Sequence, residues 1–370
     1  MRAMLTIALA LVLAAGAVHA QSSTVTGISS KFNPAISVNA LLLGRTAHAS
    51  DDPALNGFDL QESEVQFTSV VDPYWKANLI TAFAPGEDGT EVEIEVASLE
   101  SRTLPGGFGL RVGQNHLPFG KHAPLHTHQF PFVDAPLAVS TFLGPEGLSD
   151  AGLQLSHELP LPWYADLTGY VGSGNTDILD GGSRQPAWGA RLSNLFDLSM
   201  ESTFELGGSW LRGPVAHDYL SLDGSDVLSG DLDVFGADAT WKWVSSSRTR
   251  GPAATVTAEV VLPRPDASSQ RPVGWYAYGQ YRIAGYWWLG LGVGGIDRRS
   301  ADPLVDAADF GLFHWEKARE SKANVTWVPS EFSAVRLEVA RFDDRLGDTS
   351  DTLVSLQFNF TIGSHPAHLY

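Results

Sequence analysis

Four histidines, His116, His122, His126 and His128, fall within one short segment of a chain that holds eleven histidines in all. Neutral imidazole ligates zinc, copper and nickel, and in an extended stretch the i, i+2 spacing of His126 and His128 puts both rings on one side. His122, His126 and His128 are therefore candidate metal ligands, and zinc is the one cofactor the sequence suggests. Their spacing matches no recognised zinc signature, and the flanking Phe119, Phe130, Pro131 and Phe132 equally suit a loop packed against a wall. Other chemistry finds less footing. With no cysteine there is no disulfide, thiolate site or cysteine nucleophile. Ser156 and His157 are consecutive in a predicted strand, so they face opposite sides and cannot pair as nucleophile and base. No Gly-x-Ser-x-Gly elbow, His-Glu-x-x-His run or phosphate-binding glycine loop is present. No enzymatic activity is expected. The formal charge of −18 argues against nucleic acid as a partner and leaves cations and neutral solutes as natural cargo.

The elements that must position these residues are strands. From Ile36 onward the chain breaks into about sixteen segments of roughly ten residues in which apolar and polar residues alternate. Val65, Phe67, Ser69 and Val71 oppose Glu62, Glu64, Gln66 and Thr68; Val92, Ile94 and Val96 oppose Glu91, Glu93 and Glu95. Phe235, Ala237, Ala239, Trp241 and Trp243 oppose Asp238, Thr240 and Lys242, and Val354, Leu356, Phe358, Phe360 and Ile362 oppose Ser355, Gln357, Asn359 and Thr361.

Alternation alone also fits a soluble β-sandwich, and the connections separate the two readings. Short turns are predicted at 71–73, 104–106, 159–162, 195–197, 284–285 and 328–330, with a longer one at 245–252. Between them fall longer polar loops at about 45–57, 84–90, 115–148, 172–186, 212–231, 263–272, 294–317 and 343–350. Strict short-long alternation is what a transmembrane antiparallel β-barrel requires, with short periplasmic turns and longer external loops. Aromatic residues recur near strand ends, at Tyr74-Trp75, Trp163-Tyr164, Trp241, Trp243 and Tyr286-Trp287-Trp288, as rings at headgroup level do.

Arg2, an apolar stretch from Leu5 to Val18 and Val18-His19-Ala20 before Gln21 read as a secretory signal over residues 1–20. The expected organisation is that signal, an N-terminal periplasmic segment at 21–35 and a barrel at 36–370. An all-β chain of this kind belongs in the bacterial outer membrane, with membrane lipid and small solutes or ions as partners and a homotrimer among the expected assemblies.

Sixteen strands enclose an aqueous channel. Its predicted lumen carries Glu62, Glu64, Lys76, Glu93, Glu95, Arg111, Asp166, Arg191, Arg282 and Arg336, together with Asp150, Glu201, Glu205, Asp238, Lys242, Glu259, Glu320, Lys322 and Glu338: a mixed, somewhat acidic wall. The longest connection, 115–148, is expected to fold back and constrict the pore, because Leu117, Phe119, Phe130, Phe132, Phe142 and Leu143 are too apolar to stand in water. That would leave Lys121, His122, His126, His128, Asp134 and Glu146 facing the channel. Capping the barrel mouth or meeting another subunit are the other placements such a loop could take.

Phe58-Asp59-Leu60-Gln61-Glu62-Ser63-Glu64-Val65, Val71-Asp72-Pro73-Tyr74, Leu110-Arg111-Val112-Gly113-Gln114, Leu117-Pro118-Phe119-Gly120, Phe142-Leu143-Gly144-Pro145-Glu146-Gly147-Leu148 and Val328-Pro329-Ser330-Glu331-Phe332 together resemble a group of porin-like outer-membrane proteins, often labelled zinc-regulated outer-membrane receptors. More distantly they resemble phosphate-selective porins. The resemblance implies a channel, and at most regulation by zinc or transport of it. The chain is too short for the plug and larger barrel of TonB-dependent receptors, and its mixed wall lacks the basic ladder of phosphate-selective porins. Tyr370 resembles the aromatic last residue of such barrels, although Pro366 interrupts the final alternation. The expected function is a passive pore with weak cation preference. Outer-membrane metal uptake or binding, and a soluble periplasmic β-rich binding protein, are the competing readings.

Overall fold

The computed structural model describes residues 34–49, 55–86, 89–145, 147–183, 185–216, 230–246, 250–266, 271–297, 317–344 and 349–363. The predicted signal, nearly all of the 21–35 segment, Glu146 and the C-terminal residues including Pro366 and Tyr370 lie outside these.

Sixteen strands close into one antiparallel barrel, each paired with its sequence neighbours and the first with the last. They are β1 (Ala35–Ala47), β2 (Gly57–Val70), β3 (Trp75–Gly86), β4 (Gly89–Ser101), β5 (Phe108–His116), β6 (Ser149–Glu158), β7 (Tyr164–Gly172), β8 (Ala187–Ser199), β9 (Ser202–Pro214), β10 (Asp231–Val244), β11 (Ala253–Pro265), β12 (Val273–Ala284), β13 (Trp287–Asp297), β14 (Lys317–Ser330), β15 (Ser333–Asp344) and β16 (Thr349–Gly363). Closure runs through eleven register pairs from Ser37↔Gly363 to Ala47↔Leu353, so no sheet edge is left open.

Each strand splits its residues between two solvents. Leu42, Ile94, Leu155, Leu206, Leu291 and Phe358 stand exposed on the outer wall. An apolar band of this kind is stable only against lipid, and a closed barrel satisfies its backbone without water. These two features remove the soluble binding-protein alternative. At the short-turn rim, Trp163 packs 5.6 Å from Phe196 and Trp287 6.4 Å from Trp327, centroid to centroid.

Two turns lie elsewhere than the sequence signals place them. Strand β8 continues through Leu195-Phe196-Asp197 to Ser199, because Phe196 still has an outward partner in Trp163. Strand β14 runs through Val328-Pro329 to Ser330; Pro329 lacks a ladder donor and produces a register irregularity between Trp327 and Ser330 instead of a turn. Glu201 consequently sits in the β8–β9 turn, bonded to Ser246 and Trp243, and not on the lumen wall.

Two β-bulges shape the lumen. Register shifts leave Gln61 as the extra residue on β2 and Glu95 as the extra residue on β4. Beyond the second shift Val96 turns inward beside Glu95, whereas strict alternation placed it outward with Val92 and Ile94.

The connection from β5 to β6, hereafter L3, enters the barrel. It carries a 3-10 turn at Thr127–Gln129 and a short helix, α1 (Leu137–Phe142). Leu117, Phe119, Val139, Phe142 and Leu143 form a dry core with Ile178 and Leu179 of the β7–β8 connection and with Leu211, Leu232, Val261, Tyr276 and Ile296 of the wall. Part of the lumen is therefore filled with apolar side chains. Burying one Phe or Leu side chain contributes roughly 1.5–3 kcal/mol.

Candidate functional site: a loop-filled lumen and the passage beside it

L3 is held to the wall by shape and by polar satisfaction. Shape comes from inward-facing glycines. A Cβ on Gly236 would come 2.9 Å from the Phe119 ring, one on Gly274 would come 2.7 Å from Phe142 and 2.8 Å from Ala138, and one on Gly292 would reach Phe132 at 3.0 Å. Each glycine is thus a socket for a loop side chain.

Satisfaction comes from the charged and amide residues of the wall. An irregular segment inside a barrel carries backbone groups that lose water, each worth roughly 1–3 kcal/mol if left unpaired. Here wall side chains pair them. Asn359 donates to the His128 carbonyl at 3.1 Å, Arg336 to Phe130 at 2.9 Å, Asn324 to Pro131 at 3.1 Å, Gln61 to Val133 at 3.1 Å and Lys322 to Ala135 at 3.0 Å. Carboxylates accept the amides: Glu259 from Lys121 at 2.9 Å, Glu338 from Val133 at 3.0 Å and Glu320 from Leu137 at 2.8 Å. Gly120, at φ 61°, lets the chain turn over Glu259, where any side chain would strike the carboxylate.

Contacts of this kind run along β9–β16 and on to β1 and β2, where Arg45 pairs with Asp134 at 2.7 Å. Between L3 and the remaining wall lies a polar cavity of about 560 Å³, lined from β3 to β8 by Lys76, Ser98, Glu100, Arg111, Asp166 and Arg191 among others.

The sequence-derived residues sort accordingly. Lys76, Arg111 and Asp166 line the cavity; Arg111 stands 3.8 Å from Glu100. Arg191 borders it while paired to Asp238 at 2.6 Å. Glu93 is lumen-facing and exposed, paired across to Ala82. Three expectations need correction. Arg336 does not face open water: it is buried under L3, bonded to Phe130 O. Arg282 stands at the short-turn rim, donating to Gly251 O at 2.7 Å with its guanidinium 5.2 Å over Trp288. Glu62, Glu64 and Glu95 are covered by the loop.

Lys121 reaches Glu205 at 2.5 Å. His122 is withdrawn from the channel and from the other histidines, its ring 4.4 Å from Phe130 and 6.1 Å from Tyr276. His122, His126 and His128 therefore do not form one ligand set. Burial, with Lys322 nearby, pushes the His122 imidazole down to about 3. His126 and His128 stack at 5.7 Å over the three inward carboxylates. His126 Nδ1 is 2.7 Å from Glu95, His128 Nδ1 is 2.6 Å from Glu64, and Thr127 donates to Glu62 at 2.9 Å. Burial opposes the charge on His126, but the Glu95 hydrogen bond and the Glu64 charge outweigh it and raise the imidazole to about 9. His116, one of the four clustered histidines but outside the candidate ligand set, has its ring edge-on to His126 at 4.6 Å. Its place at the end of β5, beside the loop histidines, was the signal available for including it. Ser156 lines the cavity while His157 stacks on Phe108 outside, at 4.2 Å.

No family model matches the chain. An uncharacterized protein of Aquifex aeolicus (strain VF5) is 26% identical over 349 residues, spanning 84% of this chain and 70% of that protein. OprB of Pseudomonas putida superposes with a TM-score of 0.62 at 10% identity, covering 89% of this chain and 94% of OprB. Salmonella typhi OmpF, solved in complex with daunomycin, gives a TM-score of 0.60 at 10% identity, covering 90% of this chain and 99% of OmpF. The likeness is one of fold: the chain is a closed sixteen-stranded antiparallel barrel with the architecture of these porins.

Proposed function

We propose that the protein is an outer-membrane porin: a passive, non-enzymatic diffusion channel for small hydrophilic solutes or ions, narrowed by L3. The observation that carries this reading is the polar cavity left along β3–β8 when the rest of the lumen at that level is occupied by the loop. Its lining offers hydroxyls, amides and charges of both signs, a wall that solvates many small polar solutes without holding one tightly. Weak cation preference belongs to the same reading and is supported by Glu91 and Glu93, exposed on the lumen face at the external end of β4. A homotrimer fits the outer wall, where the small side chains of Ala277, Gly279 and Ala323 leave a shallow hollow for a neighbouring barrel.

Planar-bilayer recording tests the proposal. The purified protein should form stable open channels, and deleting residues 121–141 should raise their conductance. A folded barrel that conducts nothing would overturn the porin reading; unchanged conductance in the folded deletion variant would remove L3 as the constriction. Blue native electrophoresis of detergent extracts should show a species of three subunits.

A further inference from the structure

We propose that Glu95, His116 and His126 form a binding site for a divalent transition-metal ion of the zinc type, at the edge of the polar cavity where L3 meets β4 and β5. One donor atom from each residue lies within 4.8 Å of the others. Two donors bonded to one such ion at about 2 Å each stand no more than about 4 Å apart, so small side-chain rotations bring the three into its coordination sphere.

His116 supplies the independent observation. Its ring nitrogens are shut off from solvent, and neither has a hydrogen-bond partner. A buried imidazole normally finds one. This ring is placed against His126, beside Glu95 and next to the cavity. His122 also has ring nitrogens without partners, but it sits between Phe130 and Tyr276 and joins no cluster of ligating groups among the described residues. The difference between the two histidines is the ring of acceptors around the first.

The surroundings suit a cation. Glu62 and Glu64 bring carboxylate oxygens within the same 4.8 Å span of Glu95. Thr127 and His128 hold those carboxylates in place, as outer-shell partners do around bound metals. Imidazole nitrogen combined with carboxylate oxygen favours zinc-type ions over calcium, which prefers oxygen alone. His116 and His126 both line the cavity, so a rotation of the His116 ring brings its covered nitrogens to an ion there without L3 leaving the wall. Once bound, it would tie the β4 bulge, the end of β5 and L3 together.

Isothermal titration of the detergent-solubilised protein with zinc chloride should give one site per chain at micromolar affinity, with calcium at least about a hundredfold weaker. X-ray absorption at the zinc edge should show imidazole among the ligands. His116→Asn should weaken zinc at least about tenfold without lowering the melting temperature, because the ring makes no hydrogen bond. His157→Asn, on the outer wall, should change nothing. Absence of zinc binding, equal affinity for calcium, a spectrum without imidazole, or unchanged affinity in His116→Asn would each overturn the site. The absorption spectrum of the parent protein decides the matter even where a variant fails to fold. None of these readouts requires conduction, so they stand or fall separately from the porin reading.

Discussion

The ring of Phe119 rests on the bare inner face of Gly236, where a Cβ would come within 2.9 Å of it. Phe119 is 2% exposed and belongs to the core that fills this side of the lumen. Gly236→Val should displace the ring and loosen L3. Single-channel conductance should rise, and proteases should cut within L3 of the folded barrel. Phe119→Ala should give the same phenotype at a cost of about 3–5 kcal/mol to loop docking. Parent-like conductance in a folded Gly236→Val barrel would mean that this socket does not hold the loop.

Glu338 shows what the buried charges of the wall do. It is 1% exposed and accepts from Val133 N at 3.0 Å and from Asn324 at 3.3 Å. Glu338→Leu keeps the bulk and removes the acceptor, stranding the Val133 amide at roughly 1–3 kcal/mol. A lowered melting temperature with unchanged ion selectivity is the expected result. A selectivity change without loss of stability would instead place Glu338 in the conducting path.

His122 makes L3 docking sensitive to acid. Its imidazole is neutral in the folded protein, pushed to about 3 by burial and by Lys322. Its backbone amide lies over Glu259, and Tyr276 flanks its ring. At this residue the docked state therefore binds fewer protons than the undocked one. The stability that results is complete above the ordinary histidine value near 6.5 and is lost progressively as pH falls from there toward 3. Conductance should rise more steeply over that window in the parent than in His122→Phe, the difference being the part that His122 contributes. An equally steep rise in His122→Phe would assign the effect to another group.

The strands were legible because lipid outside and polar groups inside impose a period of two, as in β10 and β16, where every quoted residue falls on its expected side. Val96 was not, because a bulge is a register event between two strands and leaves no mark in one of them. The apolar character of L3 and the inward carboxylates of β2 were both visible in the sequence. Their meeting, His128 against Glu64 at 2.6 Å, depends on residues 64 positions apart and was not. For the same reason Arg336, Glu259 and Glu338 read as channel lining. Nothing local distinguishes a charge facing water from one facing a loop carbonyl.

Selectivity should follow the residues that the loop leaves uncovered. Along the cavity, Lys76 is the register partner of Glu100 on the neighbouring strand, and Arg111 stands 3.8 Å from the Glu100 carboxylate. Asp166 lies further round the same wall, on β7, and Glu91 and Glu93 face the external mouth. The many acids beneath L3 are occupied by the loop backbone or by His126 and His128, so the chain's charge of −18 overstates the field an ion meets inside. At low ionic strength, where screening lengths exceed the width of the passage, reversal potentials should report weak cation preference in the parent. Glu91→Gln with Glu93→Gln should move selectivity toward anions, and Lys76→Glu with Arg111→Glu should move it further toward cations. Glu259→Gln, beneath the loop, should reduce stability and leave the reversal potential in place. If the buried substitution shifts selectivity and the two exposed pairs do not, ions cross on the L3 side of the lumen, and the cavity along β3–β8 is not the conducting path.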